Sequence, residues 1–408
     1  KRQVTAMLNF EIKKILVKPV NKIVLIVLAA ALLVGSFLTL RDVTYTTEGG
    51  EVLRGISAAK ELKSVKNEWK GELTEDVLRQ VIEENQKILA ETPDLDEASV
   101  KQQGLRDIHE MLNNGFAGFD EWDYYRADSL SPEEAAGIYQ IRVDSLKEYL
   151  SREEVKDSFS EKEKEFLISQ WENLKTPFYY EYAEGWKALL DSQYLPTLLT
   201  LLAVILGALV AGIFSDEYSW KADSIFFSSK LGRNKAVLSK IGAGFLITTV
   251  LYWASIFLFT VIILGALGFG GANCPVQLGE SNWMSIYNWT YLQKYFFVTI
   301  GGYVGIMFII FLTMVVSAVA RSTVIAVVIP FALSCAPMFL GRIPVFTRIV
   351  TFFPDMLLRI CTYHDEFLLC KIGGKVMGVF TFLIPLYLTL CIVAVPALYL
   401  IYKKAEVK

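Results

Sequence analysis

Histidine is nearly missing from this sequence: only His109 and His364 occur among 408 residues. Metal centres and nucleophile–base pairs usually draw on more imidazoles than that, set closer together. A lone histidine in a polar segment reads as a solvated side chain. The phosphate-cradling pattern G-x-x-x-x-G-K-[ST] is absent, and the glycine-rich stretch 265–271 lacks the lysine that the pattern requires. Cysteine is sparse at five, with none between residues 41 and 191, so no disulfide supports that stretch. Net charge is also nearly absent, at −3 from 40 Lys and Arg against 43 Asp and Glu. That balance argues against a nucleic-acid binder, which needs a basic footprint. No residue presents itself as catalytic, no metal set is visible and no cofactor is expected on this chain.

Apolar sequence is plentiful: 53% of residues are hydrophobic and mean hydropathy is +0.39. A charge-free apolar run of ~20 residues, at ~1.5 Å rise each, crosses ~30 Å of hydrocarbon. Six runs qualify: 23–40, 192–215, 241–267, 295–320, 322–341 and 376–402. Buried core helices are usually shorter and carry charge along one face. The first run is longer than a typical signal-peptide core and lacks a clear small-x-small cleavage site, so it is expected to stay as a span. The fold class expected is an all-α polytopic membrane protein with six transmembrane helices.

Charge counted by segment orients those helices. The tail 1–22, the loop 216–240, Arg321 and the tail 403–408 together hold 15 basic and 5 acidic residues. Basic residues in short loops mark the cytoplasmic side, which places both termini inside. The external segments 268–294 and 342–375 hold six basic and four acidic residues. Residues 41–191, with 19 basic and 34 acidic residues, must then form a large extracellular domain. The near-neutral total is a cancellation across a membrane.

The 41–191 segment reads as mainly helical. Val77, Leu78, Val81, Ile82, Ile88 and Leu89 make one stripe at helical spacing. Ser131-Pro132-Glu133-Glu134 and Ser160 with Glu163 are helix-start signatures. Phe178, Tyr179, Tyr180, Tyr182, Trp186 and Tyr194 form an aromatic cluster before the second span. Anchoring at the membrane interface is the plainer reading of these rings, and a substrate-contacting lip is the sharper one. Cys361 and Cys370, in an external segment, are a disulfide candidate in an oxidising exterior. Asn288-Trp289-Thr290 is a formal glycosylation sequon.

The loop 216–240 carries a mechanical pattern. Asp216 and Glu217 suit a helix start. Tyr218, Ala222, Ile225 and Phe226 recur at i, i+4, i+7 and i+8 on one face. Gly232 ends the pattern, and Arg233-Asn234-Lys235 leads into the third span. Such a short amphipathic helix either rests on lipid or docks into a groove on a soluble partner.

The run Phe214-Ser215-Asp216-Glu217-Tyr218, followed by Ser228-Ser229-Lys230-Leu231-Gly232-Arg233, resembles the F-S-x-E … L-L-S-x-P-x-S-R loop of type-2 ATP-binding-cassette (ABC-2) exporter permeases. Glu217 falls on the acidic position of that loop and Arg233 on its basic one. Trp220-Lys221-Ala222 stands where Arg-Gly-Thr is usual, and Leu231 replaces a proline. The amino-terminal segment, with Phe10, Ile12, Ile15 and Leu16 among lysines, resembles the elbow helix of the same family. Phe353-Pro354-Asp355 resembles its short external helices before the last span. The resemblance implies a coupling helix contributed by Glu217, Tyr218, Ala222, Ile225, Phe226 and Arg233. It also implies cytoplasmic ABC ATPase subunits as partners, with ATP and Mg2+ held by those partners. A second permease, identical or related, would complete a homodimer or heterodimer. The expected setting is the plasma membrane of a bacterium.

Within the spans, Pro330, Pro337, Pro385 and Pro396 permit kinks, and Gly301-x-x-x-Gly305 permits close packing. No charged residue is expected at mid-membrane depth, which favours an amphiphilic cargo (peptide, drug or lipid) over an ion. Two other functions fit the same pattern. One is a sensor whose extracellular domain binds a ligand and reports to a cytoplasmic partner. The other is resistance to antimicrobial peptides, drawn by an acidic domain over a Debye length of ~8 Å.

Overall fold

The computed structural model describes residues 2–119, 123–229, 232, 234–279 and 282–404. A first helix α1 (Arg2–Val17) leads into α2 (Pro19–Asp42), with Pro19 in the opening turn where its missing N–H costs nothing. The inserted domain follows, with α3 (Ile56–Lys66), α4 (Glu75–Glu91), α5 (Leu95–Lys101), α6 (Arg106–Phe116), α7 (Ile138–Ser151), α8 (Glu161–Glu172) and α9 (Glu184–Leu189). The chain returns through α10 (Tyr194–Val210), α11 (Gly212–Ser219) and α12 (Asp223–Ser228). It ends with α13 (Lys235–Leu267), α14 (Tyr291–Ala320), α15 (Thr323–Leu340), α16 (Pro344–Val350), α17 (Ile360–Tyr363) and α18 (Val379–Lys403). Three two-stranded antiparallel ribbons accompany them: β1 (Thr44–Thr46) with β2 (Val52–Arg54), β3 (Gly71–Glu72) with β4 (Tyr179–Tyr180), and β5 (Leu369–Ile372) with β6 (Lys375–Gly378).

Among the described residues five helical stretches are long and apolar enough to cross a membrane: Pro19–Asp42, Glu184–Ser219, Lys235–Leu267, Tyr291–Ala320 and Val379–Lys403. The protein is helical and membrane-embedded. The expected fifth span is a shorter helix of 18 residues, α15, containing Pro330 and Pro337. The expected last span starts later than residue 376, because 375–378 pair as β6 in a hairpin. Conversely, α13 and α14 begin six and four residues earlier than the apolar runs, at Lys235 and Tyr291, since polar first turns do not stop a helix. Thr290 and Gln293 cap α14 reciprocally.

The inserted domain is mainly helical, as its periodicity predicts. In α4, Leu78, Val81, Ile82 and Ile88 are buried, and Thr74 caps its start. Glu163 accepts hydrogen bonds from the N–H and hydroxyl of Ser160 at the head of α8. The domain is fastened to the connection between α13 and α14. The Arg142 guanidinium lies 3.8 Å from the Trp171 ring and 5.2 Å from that of Trp283, and donates to Trp283 O at 3.1 Å. The Asn288 side-chain amide donates to Gln170 O.

The aromatic cluster is a fastener too. Phe178, Tyr180, Tyr182 and Trp186 are buried. Tyr182 donates to Leu267 O at 2.8 Å and Trp186 to Phe269 O at 3.2 Å, satisfying carbonyls at and beyond the end of α13. Between these rings Gly185 lets α9 touch the turn, for a Cβ there would lie 2.2 Å from Gly268 O. Gly185→Ala should therefore cost about 1–3 kcal/mol through a backbone overlap that no rotamer relieves, seen as a lower midpoint in detergent thermal unfolding.

Candidate functional site

Contacts gather residues 11–18, 213–217, 240 and 402 at one end of the bundle, the terminal end. Residues 39–42, 184–194, 267–269, 291–294 and 361–365 gather at the other, the domain end. Each end holds a polar assembly.

At the terminal end, α10 and α11 are separated by a break at Ala211. Its carbonyl accepts from Ser317 Oγ at 2.5 Å and Ser215 Oγ at 3.3 Å, the way interrupted membrane helices keep freed carbonyls satisfied. Asp216 and Glu217 fall in the second half of α11 and do not start a helix. Carboxylates near a helix C-terminus are unfavourable by themselves. Three lysines compensate. Lys18 pairs with Asp216, and Lys14 with Glu217 at 2.6 Å. Lys240, fully buried, reaches Glu217 at 2.8 Å, Glu11 at 3.1 Å and Ile213 O at 3.0 Å, using all three ammonium protons. Trp220 lies under Lys14 and Lys18, at 4.8 and 5.6 Å.

This clamp decides where the expected coupling residues go. Glu217 is buried in it. Tyr218 sits under the Arg321 guanidinium at 4.6 Å and edge-on to Tyr402. The expected single helix is broken after Ser219, where Lys221 takes a left-handed φ of 55°. Ala222 is half-buried, its N–H bonded to Glu217 O. Ile225 and Phe226 do not share a face: Ile225 is 75% exposed on the short α12, whereas the Phe226 ring is 6.0 Å from Tyr402 and 5.4 Å from Lys240 Nζ. Gly232 closes the segment, since a Cβ there would lie 1.8 Å from Phe226 O. Arg233 lies outside the described residues. In the amino-terminal helix, Ile12 and Ile15 turn inward and Phe10 and Leu16 outward.

Two further expectations are corrected. Cys361 and Cys370 are both buried free thiols, the first in α17 and the second in β5. Burial pushes the Cys361 thiol up to about 11. The histidines are not solvated. His109 Nε2 lies 2.8 Å from Asp128 Oδ1, and His364 is only 2% exposed.

At the domain end, the underside of the inserted domain and the ends of α2, α10, α14 and α17 enclose a polar cavity of about 620 Å³. No local pattern marked it. One wall is an ionic cluster: Lys66 pairs with Asp107 at 2.9 Å and Glu184 at 2.6 Å, and Lys187 pairs with Asp107 at 2.7 Å. Burial alone would raise the Asp107 carboxyl, but Lys187 and Lys66 hold it well below the usual range. Tyr180 donates to its second oxygen at 3.1 Å. The opposite wall has Lys294 Nζ 3.0 Å from His364 Nε2. Burial, reinforced by Lys294, keeps the His364 pKa well below its ordinary value, so the ring is neutral and accepts from the ammonium. Among the described residues no cluster of His, Cys, Asp and Glu has the arrangement of a metal site. No family model, no curated protein and no solved structure matches the chain.

Proposed function

We propose that the chain is the membrane subunit of an ATP-driven exporter, moving an amphiphilic cargo across a bacterial plasma membrane while separate ATPase subunits bind ATP and Mg2+. The observation that carries this reading is Ile225. A large apolar side chain stands 75% exposed on a six-residue helix whose flanks are tied to the bundle. On the near side Glu217 is clamped by Lys14 and Lys240, and on the far side α13 begins at Lys235. A partner gripping Ile225 would thus pull on α10, α11 and α13 together. A second permease, identical or related, would supply the other half of the pathway. The domain-end cavity favours a second reading, in which the inserted domain senses a ligand and α10 relays its occupancy.

Ile225→Asp tests the exporter reading without touching the core, because Ile225 is exposed whereas Phe226 packs against Tyr402. Co-purification with a soluble ATPase is expected to fall at least about tenfold, as for loss of an anchor residue worth ~1.4 kcal/mol or more. Undiminished co-purification of Ile225→Asp with that ATPase would reject α12 as the coupling element.

A further inference from the structure

The domain-end cavity has hydrogen-bond donors without acceptors. The Tyr291 hydroxyl borders it, is 1% exposed and has no hydrogen-bond partner among the described residues. One turn along α14, Lys294 is 2% exposed, with no carboxylate within 4 Å among the described residues and the neutral His364 imidazole beside it, and burial lowers its pKa from the usual lysine value. Because His364 Nε2 accepts from Lys294, its proton sits on Nδ1, on the far edge of the ring from the ammonium and beside the Ile360 and Cys361 backbone.

The acceptors bordering the cavity are largely in use. Asp107 and Glu184 are taken by Lys66 and Lys187. Asp42 accepts from the Tyr194 hydroxyl, and Asp191 from the N–H groups of Gln193 and Tyr194. Arg106 donates to Ser99. Burial pushes the Asp365 carboxyl up, toward its neutral form. A buried ammonium without a counter-ion is costly, and a buried hydroxyl without a partner costs ~1–3 kcal/mol. An incoming anion removes both costs.

We infer that Lys294, held by His364, and Tyr291 form a binding site for a phosphate oxyanion between the inserted domain and the ends of the membrane helices. A cation and a hydroxyl one turn apart on α14 can each donate to a different oxygen of one phosphate group. The level is that of the helix ends, where phospholipid headgroups lie. A free phosphate ester offers the same chemistry. The site stands apart from Ile225 and from any ATPase.

Thermal unfolding of the full chain in a phosphate-free maltoside detergent tests this. It would be titrated with sodium phosphate at fixed ionic strength and, separately, with dihexanoylphosphatidylglycerol against dihexanoylglycerol. The wild type should be stabilised in a saturable manner. Response to both ligands assigns a free phosphate group, and response to the phospholipid alone assigns a headgroup. Lys294→Met should weaken the apparent affinity about tenfold or more, because a charge-assisted bond is lost. Tyr291→Phe removes only an oxygen without a partner, so it keeps the test open if Lys294→Met does not fold. No stabilisation by either ligand, or equal stabilisation of wild type and both variants, overturns the site.

Discussion

Lys240→Met is expected to be among the most destabilising single substitutions in the terminal half of the protein, at about 3–5 kcal/mol. The side chain is fully buried, and its three donors are spent on Glu11, Glu217 and Ile213 O. Methionine fills a similar volume but donates nothing. Glu217 keeps Lys14, whereas Glu11 has no other ion pair within 4 Å among the described residues and becomes an isolated buried carboxylate. The Ile213 carbonyl loses that donor as well. Thermal unfolding in detergent should show a midpoint several degrees lower, together with reduced yield. Adding Glu11→Gln should restore part of the loss, because breaking a buried pair costs more than replacing both partners. Equal midpoints for Lys240→Met and wild type would show that the clamp does not hold α1, α11 and α13 together.

The membrane helices were legible because burial in hydrocarbon writes itself into one run of residues. Helix ends were less so: Lys235 and Lys240 look like loop cations, but α13 runs through both. The partners of Lys240 lie 229, 27 and 23 residues away, and no local pattern relates them. The split of the Tyr218–Phe226 face was hidden for a different reason. Lys221 adopts a left-handed backbone conformation that its residue type does not announce. The domain-end cavity draws on residues from Thr39 to Asp365. Of its donors only Tyr291 and Lys294, three apart on a helix, were adjacent in sequence. Gly301 and Gly305 were visible as close-approach positions, but not what approaches them. A Cβ at Gly301 would lie 2.7 Å from Ile360 Cδ1, and one at Gly305 would lie 3.0 Å from both Pro354 O and Leu357 Cβ.

That approach carries a carboxylate, and its removal is the second large effect expected. Gly305 is midway along α14, so the turn Pro354–Leu358, expected in an external segment, packs against the middle of a 30-residue apolar helix. Asp355 in that turn is 1% exposed, and neither of its oxygens has a hydrogen-bond partner among the described residues. Burial pushes its pKa from 3.8 up to about 7. Arg359 opposes this, and the Tyr387 hydroxyl on α18 is spent on Phe352 O. The unfolded chain therefore releases this proton at lower pH than the folded one does. Stability is full below about pH 4, declines as pH rises towards about 7, and is then flat for this group. The loss spans about three pH units, or about 4 kcal/mol at ~1.4 kcal/mol each. Asp355→Asn keeps the shape and cannot ionise, so its midpoint should exceed that of wild type above pH 7. The advantage should shrink on acidification to pH 5. Paired thermal unfolding at pH 5, 6, 7 and 8 reads this directly. A pH-independent difference between the two proteins would mean that Asp355 titrates as an ordinary solvated carboxylate. A difference of the opposite sign would mean that its ionised form is held by Arg359.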